Sequence, residues 1–190
     1  MYEDNRILWN SSDGKNWTKV ADVAETTDYE SETRFDKRAY HNMVSYKDKL
    51  WVMLGEKPDG NLLGDIWCST DGITWTDRSS IVLPRKKASA VVFNDSSDSN
   101  YESIFVIGGY GSNSQGQNVP LNELLLFKDK ATNWSKKSSS LSFSERYSMA
   151  STIYNNRIWL IGGQVSSGYT NEVLASNDGL TWTTLQTNSD

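Results

Sequence analysis

Few side chains in this sequence have the chemistry of a catalyst or a metal ligand. The chain has 190 residues, with His41 as its one histidine and Cys68 as its one cysteine. A lone histidine is more often a hydrogen-bonded structural residue than a catalytic one, and a single cysteine cannot form an intrachain disulfide. We therefore predict no catalytic constellation, no metal site and no cofactor.

A recurrent turn organises the chain. The residues Ile66-Trp67-Cys68-Ser69-Thr70-Asp71-Gly72-Ile73-Thr74-Trp75 have counterparts at 7–17 and 172–182, and a degenerate copy at 124–134. The tryptophans that end the copies follow one another at steps of 58, 59 and 48 residues. A period near 50 with several short strands per unit is typical of a β-propeller rather than of a helical solenoid.

The turn itself predicts a hairpin. An Asp-Gly pair supplies the positive φ of a tight hairpin turn, and the Ser and Asp side chains can accept hydrogen bonds from backbone N–H groups. We expect this structural role for Ser69, Asp71, Ser176 and Asp178. We also expect four tryptophans to begin the fourth strands and to be mostly buried between neighbouring blades: Trp17, Trp75, Trp134 and Trp182.

Repeating this unit along the chain predicts one domain over residues 1–190. It comprises a half blade at 1–20 with two strands, followed by four-stranded blades at 34–80, 83–140 and 144–186. Surface connections are expected at 21–33 and 94–100, and a loop at 110–120. Because the half blade lacks its two inner strands, we expect the C-terminal part of a larger propeller. Other blades of a parent chain, or self-association, would then cover the open ends.

Three arginines occupy corresponding places before the first strand of each blade, namely Arg38, Arg85 and Arg146. Their recurrence favours a role in blade packing near the axis. The second residues after them are Tyr40, Lys87 and Ser148, which differ between blades as a one-sided recognition surface would. The candidate binding face comprises all six of these residues and Tyr110.

These features resemble the kelch repeat. The resemblance rests on the Arg before the first strand, the pairs Gly108-Gly109 and Gly162-Gly163 that close the second, and the Trp that enters the fourth. It is closer to bacterial kelch and galactose oxidase-like propellers, and blade two, with Gly55-Glu56, matches less well. The Ser-x-Asp-Gly turn is similar to the sialidase Asp box, which has one more residue between Asp and Gly. The resemblance implies an all-β, kelch-type propeller portion of about three and a half four-stranded antiparallel blades.

The same resemblance implies a function. In kelch adaptor proteins the positions that match Tyr40, Lys87 and Ser148 contribute to the partner-binding face, so we expect a non-catalytic binding module for a protein or a glycan. The alternatives are the propeller domain of a glycan-active enzyme and a pure scaffold of a larger surface protein. The copper site of galactose oxidase needs more than one histidine, and a sialidase needs convergent arginines and a tyrosine nucleophile.

The charge and hydropathy of the sequence disfavour nucleic acids and membranes as partners. A net charge of −5 and a pI near 5.0 give no electrostatic reason to bind nucleic acid or an anionic membrane. The sequence contains no apolar run of membrane-spanning length, so we expect no membrane insertion. An extracellular or cell-surface location is favoured over the cytoplasm.

Overall fold

The computed structural model describes residues 7–22, 35–79, 84–94, 102–113, 115–128, 134–138 and 140–186. Within these ranges the regular secondary structure is all strand, arranged in nineteen short segments. No helix among them is long and apolar enough to cross a membrane. The predicted all-β propeller fold is confirmed. Of the connection expected at 21–33, residues 21 and 22 belong to a strand, which corrects that bound, and residues 23–33 lie outside the described residues, as does most of the loop at 94–100.

Fourteen of the strands build a hairpin and three four-stranded antiparallel sheets, as the repeat predicts. The hairpin pairs β1 (Ile7–Asn10) with β2 (Thr18–Asp22). Blade two contains β3 (Asn42–Tyr46), β4 (Lys49–Glu56), β5 (Leu62–Ser69) and β6 (Thr76–Asp77). Blade three contains β8 (Ser89–Asn94), β9 (Glu102–Ile107), β12 (Leu124–Phe127) and β13 (Trp134–Ser138). Blade four contains β14 (Ala150–Tyr154), β15 (Arg157–Ile161), β18 (Val173–Ser176) and β19 (Trp182–Gln186).

Five further strands form two small sheets that the repeat did not predict. The first joins β7 (Arg85–Lys86), β10 (Tyr110–Ser112) and β11 (Asn118–Pro120), and the second joins β16 (Gln164–Val165) and β17 (Gly168–Tyr169). The expectation of a loop at 110–120 was therefore wrong. Asn113 accepts backbone hydrogen bonds from Gln115 and Gln117, and Gly116 adopts a φ of 76°, so the segment turns back as a hairpin.

The blades stack through apolar faces. Each blade presents one face to the next blade in the chain, which we call its trailing face. On blade two this face includes Tyr46, Trp51 and Met53, all at most 2% exposed against residues of blade three such as Ile104 and Val106. The trailing face of blade three packs in the same way against blade four. The innermost strands β3, β8 and β14 therefore lie side by side.

On blade four the trailing face is exposed. Its Tyr154 and Trp159 repeat the arrangement of Tyr46 and Trp51: each indole N–H donates to the tyrosine carbonyl at 3.0 Å. The ring centroids are 6.3 Å apart on blade four and 6.1 Å apart on blade two. Yet Tyr154 is 62% exposed, because no described residue lies where blade three covers blade two. The residue types are those of a blade interface, whereas their burial depends on the neighbour.

Trp134 and Trp182 begin the fourth strands β13 and β19, whereas Trp17 and Trp75 directly precede β2 and β6, and the four are not equally buried. Trp75 is 3% exposed and packs edge-on against Phe35 at 4.8 Å, and Trp182 packs likewise on Phe143 at 5.3 Å. Trp134 is half-buried. The expectation that Trp17 is buried was wrong, since it is 58% exposed. The aromatic partners of Trp75 and Trp182 come from the segment before the first strand of the same blade, and no such segment precedes β1 among the described residues.

The turns are capped by side chains as predicted, although they are longer than a tight hairpin turn. Between β5 and β6, Ser69 accepts a hydrogen bond from the Gly72 N–H at 2.8 Å, and Asp71 accepts bonds from Ile73 and Thr74. The same bonds recur around Asp13 and Asp178. In the degenerate copy, strand pairing puts Phe127 where the other blades have serine, and its ring packs on Trp134.

Blade two matches the glycine pair better than its sequence suggests. The structural counterpart of Gly108-Gly109 is Leu54-Gly55, not Gly55-Glu56. Leu54 and Gly108 have φ values of 62° and 61°, and Gly55 and Gly109 have values of 108° and 103°. Only the second glycine is sterically required in blade two, because a Cβ on Gly55 would lie 2.7 Å from the Ala39 carbonyl.

The trailing faces give a matched test of blade stacking. Met53→Ala should lower the free energy of unfolding by about 2–5 kcal/mol, because it opens a cavity between blades two and three. Its counterpart Ile161 is 47% exposed, so Ile161→Ala should cost under about 1 kcal/mol. Urea denaturation measures both values. Equal losses would contradict the difference between the covered and uncovered faces.

The capped turn predicts a pH dependence. Hydrogen bonds from the backbone N–H groups of Ile73 and Thr74 lower the pKa of Asp71 from 3.8 to about 2. Because the folded state favours the ionised carboxylate, its contribution to stability is complete above pH 3.8 and is lost as the pH falls through 2. The stability difference between wild type and Asp71→Asn should therefore shrink over this range. A carboxyl titration followed by NMR with a midpoint near 3.8 would rule out the capping effect.

Candidate functional site

A backbone ladder joins the three blades at equivalent positions. The N–H of Lys87 donates to the carbonyl of Tyr40 at 3.0 Å, and the N–H of Ser148 donates to the carbonyl of Lys87 at 2.9 Å. All three residues adopt left-handed φ values, between 56° and 58°, which non-glycine residues seldom do. The predicted equivalence of these positions is confirmed, and Lys87 and Ser148 lie on the same side of the molecule.

The residue before each of these positions pairs with the residue after the glycine pair of its own blade. Strand or bridge pairing joins Ala39 to Glu56, Lys86 to Tyr110, and Tyr147 to Gln164. Side chains then meet across the blade boundaries, since Lys86 forms an ion pair with Glu56 at 2.5 Å and the ring of Tyr110 packs against that of Tyr147 at 5.4 Å. We call the resulting surface the rim; it comprises Tyr40, Glu56, Lys86, Lys87, Tyr110, Tyr147 and Ser148.

Lysine ammonium groups and tyrosine rings dominate the rim. The Nζ of Lys87 lies 4.7 Å from the ring centre of Tyr40 and 5.5 Å from that of Tyr147. The Nζ of Lys86 lies farther from the ring centres of Tyr40 and Tyr110, at 5.8 and 6.0 Å. Tyr40 is 54% exposed, and Ser148 is also exposed. The rim therefore combines aromatic contact area with the ammonium groups of two half-buried lysines.

The three equivalent arginines do not share this exposure. Each guanidinium donates to a carbonyl of its own blade and pairs with an acidic residue. Asp65 lies within the third strand of blade two, and Glu123 and Glu172 directly precede the third strands of blades three and four. The pairs are Arg38–Asp65 at 2.6 Å, Arg85–Glu123 at 2.9 Å and Arg146–Glu172 at 2.5 Å, and the arginine side chains are at most 1% exposed.

This placement fits the expected packing role of the arginines. It does not fit their inclusion in the binding face, because buried and paired guanidinium groups offer a ligand nothing. Burial lowers the pKa of Arg85, and the carboxylate of Glu123 opposes this by favouring the charged form.

Acidic groups and a neutral histidine lie around the rim. Desolvation of the imidazole, and then the charge of Arg38, lower the pKa of His41 below 6.5, so its side chain is neutral at pH 7. The loop after Glu56 carries Asp59, and Lys57 pairs with Asp36 at 2.6 Å. Among the described residues, no group of three or more His, Cys, Asp or Glu side chains is placed to hold a metal ion.

The structure thus brings together four of the candidate residues, namely Tyr40, Lys87, Ser148 and Tyr110. The sequence analysis missed Tyr147, Lys86 and Glu56. Tyr147 and Lys86 directly precede candidate positions, and Glu56 and Tyr110 both follow the glycine pair. Aligning Leu54-Gly55 with Gly108-Gly109 would have identified Glu56 as the counterpart of Tyr110.

The sequence of the chain is similar to those of several known proteins. Residues 2–119 match the family described as the DUF6242 beta propeller domain. The chain belongs to this propeller family. It is also 26% identical over 87% of its length to the Ras guanine nucleotide exchange factor F of Dictyostelium discoideum, and 24% identical over 71% to the kelch repeat protein M-T8 of Myxoma virus. Beta-scruin of Limulus polyphemus is 24% identical over 87% of the chain.

The chain spans only a small part of these relatives, between 14% and 24% of their lengths. The match to a kelch repeat protein supports the kelch-like part of the predicted resemblance. The finer likenesses to galactose oxidase and to the sialidase Asp box stay predictions.

The buried ion pairs predict large stability effects. Glu123→Ala leaves the guanidinium of Arg85 buried without its carboxylate, which should lower the free energy of unfolding by about 3–5 kcal/mol. Asp36→Ala removes a solvent-exposed pair with Lys57 and should cost under about 1 kcal/mol. Denaturant unfolding compares the two variants, and a loss for Glu123→Ala no larger than for Asp36→Ala would show that the pair is not structural.

Proposed function

We propose that the chain is a non-catalytic protein-interaction module whose contact surface is the rim. The observation that supports this most directly is the ladder through Tyr40, Lys87 and Ser148. It holds one backbone geometry across three blades while the side chains differ from blade to blade. A purely structural position would tend to keep one residue type, as the arginines two residues earlier do. A recognition surface instead needs a constant frame and variable side chains.

The composition of the rim suits a protein partner. Tyrosine supplies a large contact area at low cost in side-chain entropy, and aromatic residues are enriched in interface cores. The rim also carries exposed polar groups that can hydrogen-bond a partner, including Ser148. The similarity to the kelch repeat protein M-T8 supports a kelch-like propeller, which is in keeping with an interaction role.

Site-specific photo-crosslinking tests this proposal. A photoreactive phenylalanine analogue at position 40 should form adducts with the partner in extracts of the source cells. The same analogue at position 154, an exposed tyrosine on the trailing face, is the matched control. Adducts at position 40 should fall at least about tenfold with Ser148→Arg, which places a bulky side chain on the rim. Equal crosslinking at both positions, or none at position 40, would refute the assignment of the rim.

A further inference from the structure

The two lysines of the rim differ in what neutralises them. Lys86 forms an ion pair with Glu56, and its side chain is 20% exposed. Lys87 has no carboxylate partner within the part of the chain that the structure describes; its ammonium lies over the rings of Tyr40 and Tyr147. A ring face attracts a cation less strongly than a carboxylate does, and it leaves the three N–H donors of the ammonium available.

The tyrosines around Lys87 add further donors. Tyr46, on the trailing face of blade two, donates its hydroxyl to the carbonyl of Glu102 at 2.6 Å. The hydroxyls of Tyr40, Tyr110 and Tyr147 have no such partner among the described residues. The ammonium of Lys87 and the rings that carry these hydroxyls therefore belong to one surface, whose backbone is fixed by the ladder. This combination is suited to an anionic group with several acceptor oxygens.

The charges around Lys87 favour a ligand with a single negative group over a polyanion. The carboxylate of Glu56 already forms an ion pair with Lys86, so Lys86 offers a ligand little net charge. Asp59 in the adjacent loop is acidic, and His41 is neutral at pH 7 and adds no positive charge. A polyanion with many regularly spaced charges would find only the ammonium of Lys87 to pair with, and its other charges would be repelled by Glu56 and Asp59. A single carboxylate that arrives with apolar atoms gains both the ammonium of Lys87 and the faces of Tyr40 and Tyr147.

We propose that Lys87 receives one carboxylate, from a Glu or Asp residue in an exposed segment of the partner protein, between the rings of Tyr40 and Tyr147. This inference rests on the proposed function, because it specifies what the rim recognises. The chain as a whole is acidic, so the specificity comes from this one cation and not from long-range attraction.

A peptide selection tests the inference. Phage-displayed random 15-residue peptides are panned on the wild-type protein, and selected peptides are synthesised for fluorescence anisotropy. The selected peptides should share one acidic position. Changing that Glu to Gln should weaken binding about 10- to 100-fold, the range for a hydrogen bond to a charged group.

Variants of the protein locate the contact. Lys87→Met should weaken binding as much as the peptide change does, and the two changes together should cost no more than either alone. Lys87→Arg should keep affinity within about threefold, because the charge and the donors remain. Lys137→Met, on the exposed outer strand β13, is the matched control and should bind like wild type. Thermal melts establish that each variant is folded; should Lys87→Met fail to fold, the peptide change and Lys87→Arg decide the question.

The outcomes separate this inference from the proposed function. If the selected peptides require Tyr40 for binding but share no acidic position, the proposed carboxylate contact is wrong, whereas the rim is still the interaction surface. Binding of dextran sulfate through Lys87 with no acidic peptide selected would also overturn it, in favour of an anionic polysaccharide. If no selected peptide depends on Tyr40 and no crosslink forms at position 40, the proposed function fails and this inference fails with it.

Discussion

The ion pair between the recurrent arginine and an acidic residue of its own blade is the interaction on which the rest of the structure depends. Each guanidinium is buried, pairs with a carboxylate in or directly before the third strand, and donates to the carbonyl at the first position of the glycine pair. It thereby ties the segment before the first strand to two other strands of the blade. Because a charge in this position is costly unless paired, alternative arrangements of the blade are disfavoured.

This constraint sets up the rim. The arginine fixes the chain two residues before the ladder position. The second glycine of the pair then lets the backbone around the ladder position of the same blade approach closely. In blade three a Cβ on Gly109 would lie 2.9 Å from the Cβ of Ala88 and 3.1 Å from the carbonyl of Lys86. The ladder residues can then hydrogen-bond from one blade to the next while their side chains project from a fixed frame. Structural and variable positions alternate over a few residues, which explains how a repeat can keep its fold and change its surface.

The apolar contacts between blades, unlike the ion pairs within them, depend on the presence of a neighbouring blade. Their apolar residues repeat in type along the chain, but their stabilising effect requires a neighbour. Trp51 and Trp159 make the same internal hydrogen bond in their own blades. Only Trp51 is buried by a following blade, and it packs on Phe127 of that blade at 4.8 Å. Hydrophobic stabilisation is proportional to the area removed from water, so identical residue types contribute unequally here.

The sequence by itself determined the fourteen strands of the hairpin and blades, the capped turns and the repeat, because these depend on local chemistry: strand-forming residues, Ser and Asp caps, and an Asp-Gly pair in the turn. It also indicated that Arg38, Arg85 and Arg146 share one role. Only the tertiary structure decided which residues meet. The contacts of Lys87 with Tyr40 and Tyr147 join residues 47 and 60 positions apart in different blades. The exposure of Trp17, the hairpin at 110–120 and the register of Leu54-Gly55 likewise depended on packing partners and on the backbone pairing between segments, which no local pattern specifies.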